Sequence, residues 1–493
     1  MRHDGPDPAS TTDLTLSVEA ILPALERFLR FEGPDPASQR SAWYPRLDRP
    51  LPRTGAGRDA VLAEIRDVLI PNGLRIGHPG FSGWVTTAPS TVATAADLAQ
   101  TVAAAQRWWA TAGNLVDTVA MRWLVELLGF PASFGGVFTS GGSTANLLGI
   151  GAARQHAGER LGLDVSRDGI DGLREPRVYA STETHHVVGR ALGVLGMGRA
   201  HLHSIPTAED GRIDLDLLQA ALDEDARAGR TQVAVVGCAG DVNTGVVDPM
   251  DDLARIAGER GIWLHVDGAY GGFGLLDDRV RHLYGDVALY DSFAIDPHKW
   301  MAAPVGTGAV VVRDEAVLAR AFAIDTGDYD RERDREPTVG DTPSPFVELG
   351  HGTPDMGVDF STPARGVAVW AILSEIGADG MRERVTRHLD CARRVADRAR
   401  ASDELELLGE PVLSICCFRY RPPGVRDEET LDDLNERILD GIRARGRTVT
   451  SSTRVRGRFA IRPCFINPRT SLADADALVD EVLAVGRELA AGA

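Results

Sequence analysis

The stretch DSFAIDPHKWMAAPVGTG, Asp291 to Gly308, holds the only lysine of the chain, Lys299, against 53 lysines and arginines in all. A guanidinium stays protonated in proteins and cannot act as an amine nucleophile. A primary amine can, once burial or a neighbouring cation favours its neutral form. A position that must attack a carbonyl and hold it as a Schiff base therefore accepts Lys and excludes Arg. Where Arg serves every other cationic position, a lone amine marks a chemical requirement. It follows a predicted strand, with His298 beside it and the small-residue turn AAPVGTG after it. The alternative, a leftover surface lysine, leaves that setting unexplained.

A phosphate-loop lysine would need G-x-x-x-x-G-K-[ST], which the sequence lacks. A Schiff base with pyridoxal phosphate needs three other parts. A carboxylate must keep the ring nitrogen protonated, N–H groups at a helix start must take the phosphate, and flat or small side chains must cover the ring faces. In WLHVDGAYGG, Asp267 ends an apolar strand. An unpaired carboxylate there is costly, so a cationic partner is expected, although such a residue alone could simply cap a turn. FTSGGSTANLLGIG reads as strand, turn and helix, and Ser140, Gly141, Gly142, Ser143 and Thr144 would offer N–H and hydroxyl donors to an anion. Many helices begin with a short Gly-Ser turn, so this signal needs the others. In ASTETHHVVGRAL, His185 and His186 point in different directions, and no HExxH or Cys/His cluster accompanies them, so no metal is expected. One of them could stack on a planar cofactor; both could equally be polar loop residues.

Seven β-branched runs, GVFTS, RVYAS, AHLHSI, VAVVGCAG, IWLHVDG, SFAID and GAVVVRD, alternate with helical stretches from about Val137 to Arg313. That alternation means a mostly parallel sheet covered on both faces, with ligands beyond the carboxyl ends of its strands. A charged, Pro- and Gly-rich stretch follows, from Asp325 to Gly357, and reads as a long functional loop. From about Pro363 a second α/β unit is expected, with a long helix, three strands and a terminal helix. Near the start, LTLSVEAILPALERFLRF is a helix candidate interrupted by Pro23, and another helix covers Asp59–Leu69. The hexapeptide GPDPAS occurs twice, at Gly5 and Gly33, and reads as two turns.

Composition narrows the setting. The 493 residues suggest two or three domains or one large one with appendages, and 43% hydrophobic with 25% charged residues is ordinary for a globular chain. Five scattered cysteines without metal spacing fit a reducing cytoplasm, and MRHDGPDPAS lacks the apolar core of a signal peptide. A net charge of −18 argues against nucleic acid, and no apolar run is long enough to cross a membrane. The Ala-rich TVATAADLAQTVAAAQRWW reads as a buried or interface helix.

Together these residues resemble the pyridoxal-phosphate-dependent group II amino-acid decarboxylases, in particular those acting on aromatic L-amino acids. The resemblance runs from HPGFSGWVTTAPS (His78–Ser90) to GRFAIRPCFINPRTSLADAD (Gly457–Asp476). DSFAIDPHKW is its most specific match, supported by HVDGAYGG and TSGGSTANL. It implies the α/β architecture of fold-type I, aspartate-aminotransferase-like: a mostly parallel seven-stranded sheet with a smaller C-terminal α/β domain and an N-terminal helical segment. The expected divisions are 1–90, 91–372 and 373–493. It also implies a homodimer with active sites at the interface, the N-terminal segment packing on the partner. By the same resemblance Lys299 would bind the cofactor covalently and Asp267 would pair with the pyridine nitrogen. Ala269 would pack on one ring face and His185 on the other. Gly142 and Ser143 would bind phosphate with help from His298, Thr87 would lie in the substrate pocket, and Tyr329 would protonate the carbon that CO2 leaves. Two departures stand out. CAGDVNTGVVDP (Cys238–Pro249) replaces a Thr-rich run with Asp241 and Val242. Asp296 stands where some aromatic-acid members have Asn; a carboxylate beside phosphate is repulsive, so Asp296 is expected to face other donors.

The expected reaction is α-decarboxylation of an L-amino acid, with the long loop as a lid. An aromatic substrate is favoured by the resemblance and by Phe81, Trp84, Trp108 and Trp109, which could as easily be core or interface aromatics. Aminotransfer and decarboxylation-coupled aldehyde synthesis are alternatives on the same fold. A desulfurase would need a loop thiol, and Asp325 to Gly350 contains none. A sphingosine-phosphate-lyase-like cleavage is disfavoured because that group is usually membrane-anchored. A non-catalytic, regulatory cofactor-binding protein would need an effector domain for which no length remains.

Overall fold

The computed structural model describes residues 14–31, 40–103, 112–323, 356–359 and 361–491. The apolar runs of the sequence become strands β2 (Gly135–Thr139), β3 (Arg177–Ser181), β4 (Leu202–Ile205), β5 (Gln232–Cys238), β6 (Trp263–Asp267), β7 (Ser292–Ile295) and β8 (Gly308–Val312), after a short β1 (Phe81–Ser82). The seven strands β2 to β8 form one sheet in the order β2-β8-β7-β6-β5-β3-β4. Neighbours from β4 through β7 are parallel, and β8 runs antiparallel to both β7 and β2. This is the mostly parallel seven-stranded sheet expected from the sequence.

Strand periodicity explains why the runs are apolar throughout rather than alternating. Tyr179, Val235, Val266 and Phe293 enter one core cluster. Their chain neighbours Val178, Ala180, Ala234, Val236 and Ala294 enter the cluster on the opposite face. Both faces are dry, so most strand positions are apolar and the few polar ones must find partners inside. Polar groups that meet the cavity gather at the strand termini.

A second sheet takes the order β1-β11-β12-β10-β9, with β9 (Leu405–Gly409), β10 (Cys417–Tyr420), β11 (Val449–Val455) and β12 (Arg458–Arg462). It packs with the helices Glu428–Arg445 and Leu472–Ala491 and the end of Gly366–Arg400 around a third core cluster. Its edge strand β1 comes from far up the chain and pairs in parallel with β11. Residues ahead of the large sheet are thereby tied to the small one.

Three helices bear on the sequence reading, and the first and last depart from it. Leu14–Leu29 runs through Pro23 without a break, at a position that faces solvent. Thr91–Ala103 buries only Ala93 within the described chain, and leaves Leu98 and Val102 about half exposed. Gly366–Arg400 is interrupted at Gly377, whose φ of 67° lies in the left-handed region that favours glycine. No described helix is long and apolar enough to cross a membrane.

Phe293 is the centre of the packing beneath the site. It is fully buried, with Phe130 at 5.3 Å and Tyr290 at 6.1 Å between ring centroids. A Cβ on Gly268 would lie 2.4 Å from its Cζ. Phe293→Ala is expected to cost about 3–5 kcal/mol, read as a lowered urea midpoint. Gly268→Ala is expected to lower the midpoint by overpacking, and Phe293→Leu to recover part of that loss.

Candidate active site

A cavity of 460 Å³ opens at the carboxyl ends of β5, β6 and β7 and at the start of the helix Gly142–Glu159. Its floor is made by strand ends. Asp267 is the last residue of β6, in register with Cys238 of β5 and Ala294 of β7. Its carboxylate is nearly buried, and Oδ1 accepts the Ala269 N–H at 3.0 Å. Among the described residues no Lys or Arg comes within ion-pair distance of it. The cationic partner expected for a buried carboxylate is therefore not supplied by a lysine or arginine among the described residues.

Lys299 stands in the connection between β7 and its antiparallel neighbour β8. Its Nζ lies 3.0 Å from Asp296 Oδ2. His298 Nδ1 is 2.9 Å from the Thr307 carbonyl and 3.7 Å from Asp296 Oδ1. The connection is held from three directions. Ser90 N–H donates to the Ala302 carbonyl at 2.9 Å, and Arg384 donates to the Met301 carbonyl at 2.6 Å. Trp300 donates through Nε1 to His388 Nδ1 at 2.7 Å and stacks on Tyr270 at 5.5 Å. Burial pulls Arg384 down to about 10 and His388 to about 3, so His388 is neutral and donates from Nε2 to the Asn467 carbonyl at 2.9 Å. Ala302 takes a left-handed φ of 61° to close the turn.

The helix wall is shaped by absent side chains. Gly141 has φ 133° and no side-chain cap covers the helix start. A Cβ on Gly142 would lie 2.6 Å from Asp296 Oδ2 and 3.0 Å from Ala269 Cβ. Ser140 and Thr144 bond one another through their hydroxyls at 2.8 Å, and Ser143 lines the cavity beside them. On the far side His185 reaches the cavity from the turn before the helix Val187–Val194. Burial and then His186, with ring centroids 4.1 Å apart, lower its pKa, while Asp267 opposes them.

The cavity thus brings together Lys299, Asp267, Ala269, His185, Gly142, Ser143 and His298. Thr87 is fully buried, with its hydroxyl 3.5 Å from the Ala88 carbonyl, and the cavity wall at that point is Val85. Tyr329, Trp108 and Trp109 lie outside the described residues. Phe81 is buried in the small sheet, and Trp84 is half exposed. The Asp241 departure has a local explanation. Its carboxylate accepts the backbone N–H groups of Asn243, Thr244 and Val246, so it folds its own loop.

The motifs did not single out a polar layer behind Asp267. His265 points from the same face of β6, two residues earlier. Its Nε2 is 2.9 Å from Asn146 Oδ1 and its Nδ1 is 2.7 Å from Ser292 Oγ. Trp263 Nε1 donates to the same hydroxyl at 2.7 Å, and Asn146 Nδ2 donates to the Gly142 carbonyl at 2.8 Å. The set closes only if His265 is neutral with its proton on Nε2. Ser292 then donates to Nδ1 and accepts from Trp263. This layer fixes the spacing between Asp267 and the helix start. Its signal was present as spacing: Asn146 is one helical turn from Gly142, and His265 is two strand positions from Asp267.

These residues fit pyridoxal phosphate. A buried carboxylate without a lysine or arginine partner suits a protonated pyridine nitrogen, glycines at a helix start suit a phosphate, and one amine faces both. The neutral layer behind them has a pH consequence. Burial lowers His265 from 6.5 to about 4, so the unfolded chain binds its proton first on acidification. That stabilisation is present above pH 6.5 and is lost as pH falls towards 4. Urea midpoints of the wild type should fall over that window, and His265→Gln should fall less steeply.

A model of the pyridoxal-dependent decarboxylase conserved domain matches residues 42–421. The chain is 28% identical over 447 residues to an aromatic-L-amino-acid decarboxylase of Bacillus atrophaeus, covering 90% of this chain and 88% of that protein. It is 29% identical over 446 residues to an L-2,4-diaminobutyrate decarboxylase of Rhizobium meliloti, covering 89% and 84%. The crystal structure of Oryza sativa TDC with PLP and tryptamine superimposes with a TM-score of 0.86 at 23% identity, covering 98% of this chain and 100% of that one. The fold, the cofactor-binding chemistry and the family match agree: the chain belongs to the pyridoxal-dependent decarboxylase family, and is a pyridoxal-phosphate-dependent amino-acid carboxy-lyase.

Proposed function

We propose that this chain decarboxylates an L-amino acid with an aromatic side chain to its amine, and that Lys299, Asp267 and His185 are the centre of that chemistry. The observation that carries the reading is the convergence of the chain's one amine and a buried carboxylate without a lysine or arginine partner on one cavity at a helix start. Pyridoxal phosphate, when bound, supplies an electron-accepting ring for the pair left behind by CO2. Asp267 would pair with the ring nitrogen and keep it protonated. Ala269 and His185 would flank the ring. Gly142 and Ser143 N–H groups, with His298, would hold the phosphate. Lys299 would hold the cofactor through its side-chain amine. The bond from the α-carbon to the carboxylate breaks, CO2 leaves, and a proton takes its place, with Tyr329 as the proposed acid. Thr87 contributes to the substrate pocket by shaping the backbone that carries Val85.

The aromatic preference is supported by the Bacillus relative and by an uncharged wall of Val85, Val187, Val242 and Tyr270. A second reading has its own support. Glu183 also lines the cavity, oriented by Asn243 Nδ2 at 3.0 Å, and would suit a substrate with a cationic side chain. We further propose a cytoplasmic homodimer in which residues 1–90 pack on the partner, 91–372 carry the cofactor, and 373–493 form a smaller domain.

The deciding experiment is CO2 release from a panel of L-amino acids by purified protein loaded with pyridoxal phosphate. Release from aromatic substrates with amine as product is expected. Preference for 2,4-diaminobutyrate would favour the Glu183 reading, aldehyde as product would favour the synthase alternative, and no release from any amino acid would overturn the reading. Lys299→Ala should abolish both turnover and borohydride trapping of cofactor. Asp267→Asn should lower kcat by about 10²–10³-fold while retaining the fold by circular dichroism.

A further inference from the structure

Asp296 is the one charged side chain of the cavity that the chemistry above leaves without a task. It follows β7 and is 2% exposed. Its Oδ2 pairs with Lys299 Nζ at 3.0 Å, whereas its buried Oδ1 has no hydrogen-bond partner among the described residues. The carboxylate is wedged between two glycines. A Cβ on Gly142 would lie 2.6 Å from Oδ2, and a Cβ on Gly308 would lie 2.8 Å from Oδ1. Gly142 begins the helix whose N–H groups would take the phosphate. A fixed negative charge therefore borders the corner in which a second negative charge must sit.

We propose that Asp296 sets how firmly this protein keeps its cofactor: it is the counter-ion of Lys299 in the cofactor-free chain and a repulsive neighbour of the phosphate in the loaded one. The inference rests on the assignment of the cavity to pyridoxal phosphate. Among the described residues, the titratable groups facing the carboxylate are Lys299 and His298 on its own segment. Asp267 stands on the adjoining strand, and the first turn of the helix Gly142–Glu159 contributes no acidic residue. When Lys299 turns from Asp296 to the cofactor's aldehyde, the carboxylate loses the cation at contact distance and faces the phosphate across two glycines. Both effects oppose retention of the cofactor, and the second acts only on a ligand that carries phosphate. Asp296 is in this sense a positioning residue for Lys299 and a tuning charge for the phosphate corner.

The test is cofactor affinity, not turnover. Cofactor-free wild type and Asp296→Asn are titrated with pyridoxal phosphate and with pyridoxal, following tryptophan quenching and the visible absorption band. Asp296→Asn should bind pyridoxal phosphate at least about tenfold more tightly, equivalent to about 1.4 kcal/mol, with a smaller gain for pyridoxal. Its loaded form should release cofactor more slowly on dilution. Equal gains for the two ligands would mean that Asp296 acts through Lys299 alone, and would overturn the phosphate half of the proposal. Unchanged or weaker binding of pyridoxal phosphate would overturn all of it. Repeating the comparison in a Lys299→Met background, where no covalent bond forms, isolates the corner; tighter binding on adding Asp296→Asn is again expected. Should Asp296→Asn fail to fold, Asp296→Ser in both backgrounds gives the same comparison. Failure of the wild type to take up pyridoxal phosphate would instead refute the cofactor assignment itself.

Discussion

Two carboxylates are buried at the ends of adjacent strands, Asp267 as the last residue of β6 and Asp296 just after β7, and among the described residues only Asp296 has a cationic side chain at contact distance. Taking a charge out of water is costly unless a partner or oriented dipoles replace the lost hydration. Much of the large sheet can be read as an answer to that cost. Parallel strands bring their termini to one edge, the reversed strand β8 returns the chain beside β7, and the helix after β2 points its N-terminus at the same corner. Even so, the compensation among the described residues is incomplete: Asp267 receives one backbone N–H, and Asp296 Oδ1 receives none. A charge left under-compensated in a packed floor suits the cationic ring and amine proposed for this site.

The neutral groups behind the floor complete this arrangement. His265, Asn146, Ser292 and Trp263 could have been replaced by apolar residues of similar size without leaving a polar atom unmatched. As a closed set they instead fix a distance, from the strand that ends in Asp267 to the helix that starts at Gly142. Hydrogen bonds tolerate little variation in length, so the layer acts as a spacer where van der Waals packing alone would be more forgiving. The same reasoning applies to His388, which is held between the Trp300 indole and the Asn467 carbonyl and joins the lysine connection to the small sheet's flank.

Much of this was legible in the sequence for a physical reason. A two-sided sheet demands uninterrupted apolar strands, and chemistry is then forced to the strand ends, where DG, GG and HK stand out against the background. The lone amine was legible because Arg cannot substitute for it. What was not legible came from relations between distant segments. Nothing local announces that Asp296 faces Gly142, that Glu183 shares a wall with Lys299, or that β1 joins a sheet built from the other end of the chain. The carboxylate of Asp241 was misleading from sequence for the opposite reason, since its partners are its own neighbours. Pro23 shows the limit of a local rule: a missing N–H on a solvent-facing position need not break a helix.

The connection that carries Lys299 has both ends pinned in one ladder, because β7 and β8 are hydrogen-bonded neighbours. Between them Trp300, Met301, Ala302 and Ala303 are fully buried. The Cα of the lysine therefore has no hinge. Any travel of its amine, from a carboxylate on one side to an aldehyde on the other, is made by rotation about the bonds of its own side chain. Such rotations take place in nanoseconds or less in open surroundings, far faster than the microseconds and longer of moving loops. The swing of the amine then need never wait for the main chain to move.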